Sequence, residues 1–66
     1  MKESTKKALF EKAAVSVKVA CDAFDLSLNS GYAAIKNGEF PSEHIGGMYR
    51  IASAWIRKKL QLDGAA

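Results

Sequence analysis

The middle of the chain carries side chains whose chemistry suits contact with nucleic acid. Asn29 and Ser30 supply an amide and a hydroxyl, groups that hydrogen-bond to base edges, and Lys36 supplies a cation for phosphate. Each also has a plainer explanation. Asn29 and Ser30 are ordinary solvated residues for the first turn of a helix, and Lys36 suits the negative end of a helix dipole. The residue types alone leave both explanations open.

The spacing of the neighbouring residues predicts a short helix and a hairpin that position these groups. Ser27 is a suitable N-cap, and Asn37-Gly38 is a suitable end, so the helix is expected over about 28–37. Pro41 prevents the helix from resuming. Two short alternating runs then flank Gly46-Gly47, a pattern typical of a β-hairpin. On a cationic chain, this helix and hairpin indicate a winged helix-turn-helix, with the helix in a major groove and the hairpin over phosphates.

Three further helices are expected around this unit. Ser4 is a candidate N-cap for a helix over about 5–13 that packs Leu9 or Phe10 inward; the alternative for residues 1–13 is a flexible basic arm. Ser16 begins a second helix. Ser53 is expected to cap a last helix over about 54–62.

Several single residues are assigned structural roles from their neighbours. Ala14-Val15 is expected to be a short apolar link, and Leu26 to be buried in the turn between the second and third helices. Cys21 is expected to be a small buried residue rather than a reactive thiol. Trp55 is expected to anchor the last helix to the hairpin, and residues 63–66 to fray.

Composition limits the classes of protein to which the chain can belong. Its 66 residues suffice for one small domain spanning residues 1–66, with no room for a deep substrate pocket. The formal net charge is +3, with lysine and arginine in excess at both ends. One cysteine and one histidine exclude an internal disulfide and a tetrahedral zinc site, and no acid–base constellation indicates an enzyme. Apolar runs are too short for a membrane span, so a cytoplasmic protein is expected.

A set of short segments follows a defined order over about residues 15–60. In chain order they are Ser16-Val17-Lys18-Val19-Ala20-Cys21, Ser27, Tyr32, Ile35-Lys36-Asn37-Gly38-Glu39-Phe40-Pro41, Ile45-Gly46-Gly47, Tyr49-Arg50-Ile51 and Ser53-Ala54-Trp55-Ile56. Together they resemble the excisionase and AlpA-type family of small MerR-related winged helix-turn-helix proteins. That family has a recognition helix with a Tyr, a Gly-Glu-(Leu/Phe)-Pro segment, a Gly-Gly wing turn and a Tyr-Arg-Ile strand.

The resemblance implies a mainly α fold with a small β-hairpin and a role in DNA architecture. It implies binding to repeated duplex sites beside an attachment site, association of adjacent copies, and direction of an integrase toward excision of a mobile element. An AlpA-like transcriptional regulator is the alternative within the family. It implies neither catalysis nor a cofactor. The implied DNA-binding residues are Ser27, Asn29, Ser30, Tyr32, Ala33, Lys36, Asn37, His44, Gly47, Met48 and Arg50.

The chain departs from the family at several positions. Leu28 and Ala33 stand where recognition helices usually carry Arg, and Gly31 replaces a β-branched residue. His44 and Met48 make the hairpin less basic than is usual. Base reading is therefore expected from other polar side chains, with modest intrinsic specificity that DNA shape and cooperation sharpen. The competing hypothesis is a protein-interaction adaptor that docks through an apolar patch containing Leu28 and Met48.

Overall fold

The computed structural model describes residues 1–62 and contains four helices and a three-stranded antiparallel sheet. The expected fraying of residues 63–66 lies outside the described residues. In chain order the elements are α1 (Glu3–Glu11), β1 (Ala14–Ser16), α2 (Val17–Phe24), α3 (Leu28–Lys36), β2 (Ser42–Ile45), β3 (Met48–Ala52) and α4 (Ser53–Leu60). The protein is therefore mixed α/β rather than mainly α with a two-stranded hairpin.

The third strand corrects one expectation about the chain. Ala14-Val15 is not a link but part of β1, which pairs with β3 so that Val15 lies opposite Ile51. The strand order is β1-β3-β2, and the hairpin strand β3 lies in the centre. Val15 and Ile51 are both buried and join the sheet to the helices. Pairing with β1 thus holds the end of the hairpin opposite its turn.

The hairpin turns where the sequence predicts. Gly46 and Gly47 both have positive φ values, 59° and 80°. This is the requirement of the two-residue turn whose twist matches that of paired strands. Ile45 pairs with Met48 at the tip, and His44 pairs with Tyr49 next to it.

Two of the four predicted N-caps are confirmed. The Ser16 hydroxyl accepts a hydrogen bond from the Val19 N–H at 3.4 Å, and Ser27 does the same for α3. Ser4 lies inside α1 instead, and Lys2 takes the N-cap position without a side-chain cap. Ser53 is likewise the first residue of α4, where β3 continues into the helix, and its side chain is fully buried.

The core forms where α1, α2 and α4 pack against the sheet. Its most buried members are Leu9, Val15, Ala20, Ile51 and Ile56. Leu9 is the α1 residue that packs inward. Phe10 is half exposed and lies beneath the Arg57 guanidinium, which also donates to the Leu9 carbonyl. Arg57 therefore joins α4 to α1.

Two expectations about apolar residues need correction. Leu26 is 40% exposed and is not buried in the turn. Trp55 is half buried and contacts Phe24 and Phe40, with ring centroids 5.9 and 5.7 Å away. It therefore joins α4 to α2 and to the segment after α3, rather than to the hairpin. This three-ring cluster closes the end of the core nearest to α4.

Candidate nucleic-acid interface

Helix α3 starts at a well-defined cap that holds its first turn. The Ser27 hydroxyl accepts from the Ser30 N–H at 3.2 Å and also lies 3.1 Å from the Ser30 hydroxyl. Ser27 has extended backbone angles, as an N-cap requires. Both hydroxyls are thus engaged in the cap. Asn29, between them in sequence, is exposed and makes no hydrogen bond through its side chain within residues 1–62.

The inner side of α3 lies against α2 at an unusually short separation. A Cβ placed on Gly31 would overlap the Cys21 sulfur and lie 3.4 Å from a methyl group of Val17. Ala34, one turn later, is also buried. Gly31 is therefore a packing requirement as well as a weak helix former. The small residues at both positions bring α3 close to its partner helix.

The outer side of α3 is exposed along its whole length. Leu28 and Tyr32 are 47% and 50% exposed. Ala33, Lys36 and Asn37 are exposed beside them. The buried and exposed sides of the helix were only partly predictable. Leu28 precedes Gly31 by three residues and Tyr32 by four, a spacing that groups all three on one face, yet Leu28 and Tyr32 are exposed and Gly31 is buried.

Aromatic contacts tie this exposed face to the hairpin. Tyr32 meets the ring of Tyr49 edge to face, with centroids 6.2 Å apart. The imidazole of His44 stacks on the other side of Tyr49, with centroids 4.6 Å apart and ring planes 18° apart. Edge-to-face and offset-stacked contacts are the favourable geometries for such rings. The three side chains together set the orientation of the hairpin relative to α3.

Two surface depressions lie between α3 and the hairpin and share Tyr32 and Tyr49 in their lining; together we call them the helix–hairpin groove. The Tyr32–Tyr49 contact lies across it. On one side the groove is lined by Lys18, Leu28 and Met48; on the other it is lined by Lys36 and Ile35. Both lysines are exposed. The groove therefore has an apolar floor with one cation at each end.

Lys18 and Tyr49 were not among the residues predicted for the site. Lys18 follows the N-cap of α2 and is the one exposed residue in Val17–Cys21, a segment otherwise buried or half buried. The sequence offers one signal for Lys18, a lysine within an otherwise apolar segment. Tyr49 lies opposite His44 in the hairpin, and that register was deducible from the Gly46-Gly47 turn.

Arg50 lies apart from the rest of the predicted site. Successive side chains of a strand point to opposite faces, so Arg50 points away from the face on which Tyr49 contacts α3. Its surroundings are Glu43, its neighbour on β2, and the alanines of β1 and β3, Ala14 and Ala52. The other predicted residues lie on α3 or at its ends (Ser27, Asn29, Ser30, Tyr32, Ala33, Lys36 and Asn37) or, as Arg50 does, in the hairpin (His44, Gly47 and Met48).

Three further features of the described residues bear on function: the buried thiol, the metal-binding side chains and the length of the helices. Cys21 is buried, and burial raises the pKa of its thiol, while the Gly31 backbone partly opposes the rise. Within residues 1–62, no cluster of three or more His, Cys, Asp or Glu side chains is arranged to hold a metal ion. In the same part of the chain, no helix has the length and apolar character needed to cross a membrane.

Comparison with known proteins adds no relative to this picture. The chain matches no protein-family model, no curated protein and no solved structure.

Proposed function

We propose that the chain is a winged helix-turn-helix protein that binds duplex DNA with a preference for sequence. Helices α2 and α3 form the helix-turn-helix, α3 is the recognition helix, and the β2–β3 hairpin is the wing. One observation carries the proposal: residues of α3 and of the hairpin together line the helix–hairpin groove, and Tyr32 contacts Tyr49 across it. The order of elements and the β1-β3-β2 sheet are compatible with a small winged-helix fold.

The turn between α2 and α3 suits the proposed motif. Helix α2 ends at Asp25, whose left-handed backbone (φ 58°, ψ 46°) reverses the chain before Ser27 starts α3. Aspartate is among the few residues that adopt this conformation readily. Because Gly31 packs against α2 and Ala34 is also buried, α2 supports α3 while leaving the opposite side of α3 accessible to a major groove.

The exposed polar side chains of α3, Lys18 and the hairpin tip have proposed roles on DNA. Asn29 contacts base edges, and Lys36 and Lys18 pair with phosphates on the two sides of the groove. The Tyr32 hydroxyl donates to a phosphate. The hairpin tip, with Gly47 and Met48, lies along the neighbouring backbone. The cations are few, so the electrostatic part of the binding free energy is modest.

The proposed biological role is that of an excisionase, also called a recombination directionality factor. Adjacent copies bind repeated sites near an attachment site, shape the DNA and direct an integrase toward excision; an AlpA-like transcriptional regulator is the alternative within this class. The proposal is supported by the similarity of the Ile35–Pro41 and Tyr49–Ile51 segments to that family.

Gel-shift titration on duplex DNA at two salt concentrations tests the proposal. Random-sequence duplexes and fragments from around the protein's own gene are compared. We expect salt-sensitive binding, and a ladder of discrete complexes on the native fragments if copies bind side by side. Absence of any shift at low salt would overturn DNA binding. A single complex on every fragment would overturn the assembly of adjacent copies.

A protein-interaction adaptor is the second candidate, favoured by one observation. Leu28 and Met48 are both about half exposed on the same side of the groove. Apolar side chains in such a position suit docking to a protein surface. Docking through apolar contacts is not weakened by salt, whereas phosphate binding falls steeply as salt rises. The salt series therefore separates the two functions.

A further inference from the structure

The outer face of α3 lacks the side chains that commonly read guanine. Arginine or lysine paired with guanine O6 and N7 is the most frequent specific contact in a major groove. In α3 the only basic residue is Lys36, at the last position of the helix. The first two turns present Leu28, Asn29, Tyr32 and Ala33 to solvent instead. A helix that enters a groove by this face offers no cation to a base edge over its first two turns.

The polar groups on this face limit which side chains can hydrogen-bond to a base. The hydroxyls of Ser27 and Ser30 are engaged with each other and with the helix cap. Asn29 is left as the polar side chain of the first turn that is free to bind. Its amide offers a donor and an acceptor side by side, the arrangement that matches N7 and N6 of adenine.

The apolar groups match the partner base. Leu28, Tyr32 and the methyl group of Ala33 are exposed on α3, and Met48 of the hairpin lines the same depression as Leu28 and Tyr32. Thymine is the base that presents a methyl group in the major groove, and alanine and larger apolar side chains are its usual contacts. Covering exposed apolar surface with that methyl group is favourable, whereas the amino group of cytosine would lose water without gaining a hydrogen bond.

We infer that the exposed face of α3 reads A·T base pairs, with Leu28 and Ala33 contacting thymine methyl groups and Asn29 contacting adenine. This inference rests on the proposed DNA-binding function and specifies the sequence class that the groove accepts. It assigns to Leu28 and Ala33, which replace basic residues of similar recognition helices, a reading function of their own. Specificity then comes from methyl contacts and one amide rather than from guanidinium groups.

The test begins with selection from a random duplex library at low salt. The selected duplexes are then synthesised with uracil in place of thymine, which removes the C5 methyl group and leaves base pairing unchanged. We expect enrichment of A·T pairs and a loss of affinity of about fourfold for each contacted methyl group, the value for burying one such group. Adding the methyl group to cytosine, as 5-methylcytosine, should improve binding where C replaces a contacted T.

Three variants separate the contributions. Leu28→Ala should bring the affinities for the thymine and uracil duplexes closer together. Asn29→Ala should weaken the preference for A·T while leaving the thymine-to-uracil ratio unchanged. Lys36→Ala is the matched control, because loss of a phosphate contact weakens both duplexes equally. Circular dichroism of each variant checks that the substitution leaves the fold intact.

The outcomes distinguish the inference from the function on which it rests. If no duplex binds, both the DNA-binding proposal and the inference fail. Binding to a protein partner that resists salt, with no binding to a duplex, would also overturn both. If duplexes bind but thymine and uracil versions have equal affinity, or G·C pairs are enriched, the inference alone is overturned. A uracil effect that Leu28→Ala abolishes supports it.

Discussion

The rings of Tyr32 in α3 and Tyr49 in β3 meet edge to face with their centroids 6.2 Å apart. This contact decides which face of the hairpin belongs to the helix–hairpin groove. Arg50, which follows Tyr49 along β3, points to the opposite face. Lys36 therefore shares the groove with Tyr49, whereas Arg50 does not.

That difference predicts unequal effects for two substitutions of basic residues. Lys36→Ala should weaken binding to all duplexes and reduce the slope of log affinity against log salt by about 1, because one phosphate contact is lost. Arg50→Ala, on the other face of the sheet, should change the slope less and serves as the matched control. Gel shifts at four salt concentrations measure both. Equal effects of the two substitutions would place the DNA across both faces of the hairpin.

The close packing of Gly31 on Cys21 predicts an unusual response to alanine. In an exposed helix, replacing glycine by alanine stabilises by about 1 kcal/mol. Here the new Cβ overlaps the Cys21 sulfur, so Gly31→Ala should destabilise the fold by about 1–3 kcal/mol, the typical cost of overpacking. Denaturant unfolding followed by circular dichroism gives the free energy of unfolding.

A second substitution tests the cause of that effect. Cys21→Ala removes the sulfur, so the double variant Gly31→Ala, Cys21→Ala should recover part of the stability lost in the single Gly31 variant. The coupling between neighbouring sites is then measured by a double-mutant cycle. Additive losses would show that the glycine is needed for another reason.

Ser53 is predicted to cost stability rather than add it. Its side chain is fully buried, and in the described part of the chain its hydroxyl has no hydrogen-bond partner. An unsatisfied buried polar group costs about 1–3 kcal/mol, so Ser53→Ala should raise the free energy of unfolding by about 1 kcal/mol. Ser27→Ala is the control, because loss of a working N-cap lowers stability by about 1 kcal/mol. A lower melting temperature for Ser53→Ala would reveal a partner for the hydroxyl.

Asp22 is predicted to make the fold sensitive to acid. Its pKa lies below the ordinary value of 3.8, chiefly because the Thr5 hydroxyl and the Lys2 N–H, at 3.0 Å, donate to the carboxylate. A depressed pKa means that the folded state holds the ionised form more strongly than the unfolded state does. The stabilisation is therefore complete above the ordinary value and is lost as the pH falls below it.

Melting temperatures of the native chain and of Asp22→Asn test this directly. The native chain should be the more stable at pH 6, and the difference should shrink as the pH is lowered from about 4 toward 2. A difference that stays constant over that range would mean that Asp22 acts through packing and not through its charge.

The local signals in the sequence predicted the elements that carry the groove. Ser16, Ser27 and Gly46-Gly47 act through contacts within a few residues, and the structure has each as expected. The role of Gly31 was only half predictable, because its weak helix propensity is visible in the sequence but the sulfur beside it comes from another helix. The DNA contacts assigned to the groove stay predictions.

The errors at β1 and Ser53 involve residues whose environment is set by distant parts of the chain. β1 has three residues, too few for a recognisable alternation, and its partner Ile51 lies far along the chain from Val15. Ser53 looked like an N-cap, yet β3 runs straight into α4 and the serine is buried in the core. Leu26 is apolar but lies in an exposed turn. Hydrophobicity and capping propensity do not report such tertiary arrangements.

The close packing of α2 against α3 also provides a natural site for chemical labelling. Cys21 is the chain's single cysteine, its side chain is 3% exposed, and α3 covers its sulfur. A thiol reagent therefore reaches it only when the two helices move apart, so the rate of labelling reports the local opening of that junction. The native chain needs no introduced probe for this purpose. Duplex DNA that binds α3 in its major groove should slow the labelling. The labelling rate of Cys21 would then measure the fraction of the protein whose α3 is bound to DNA.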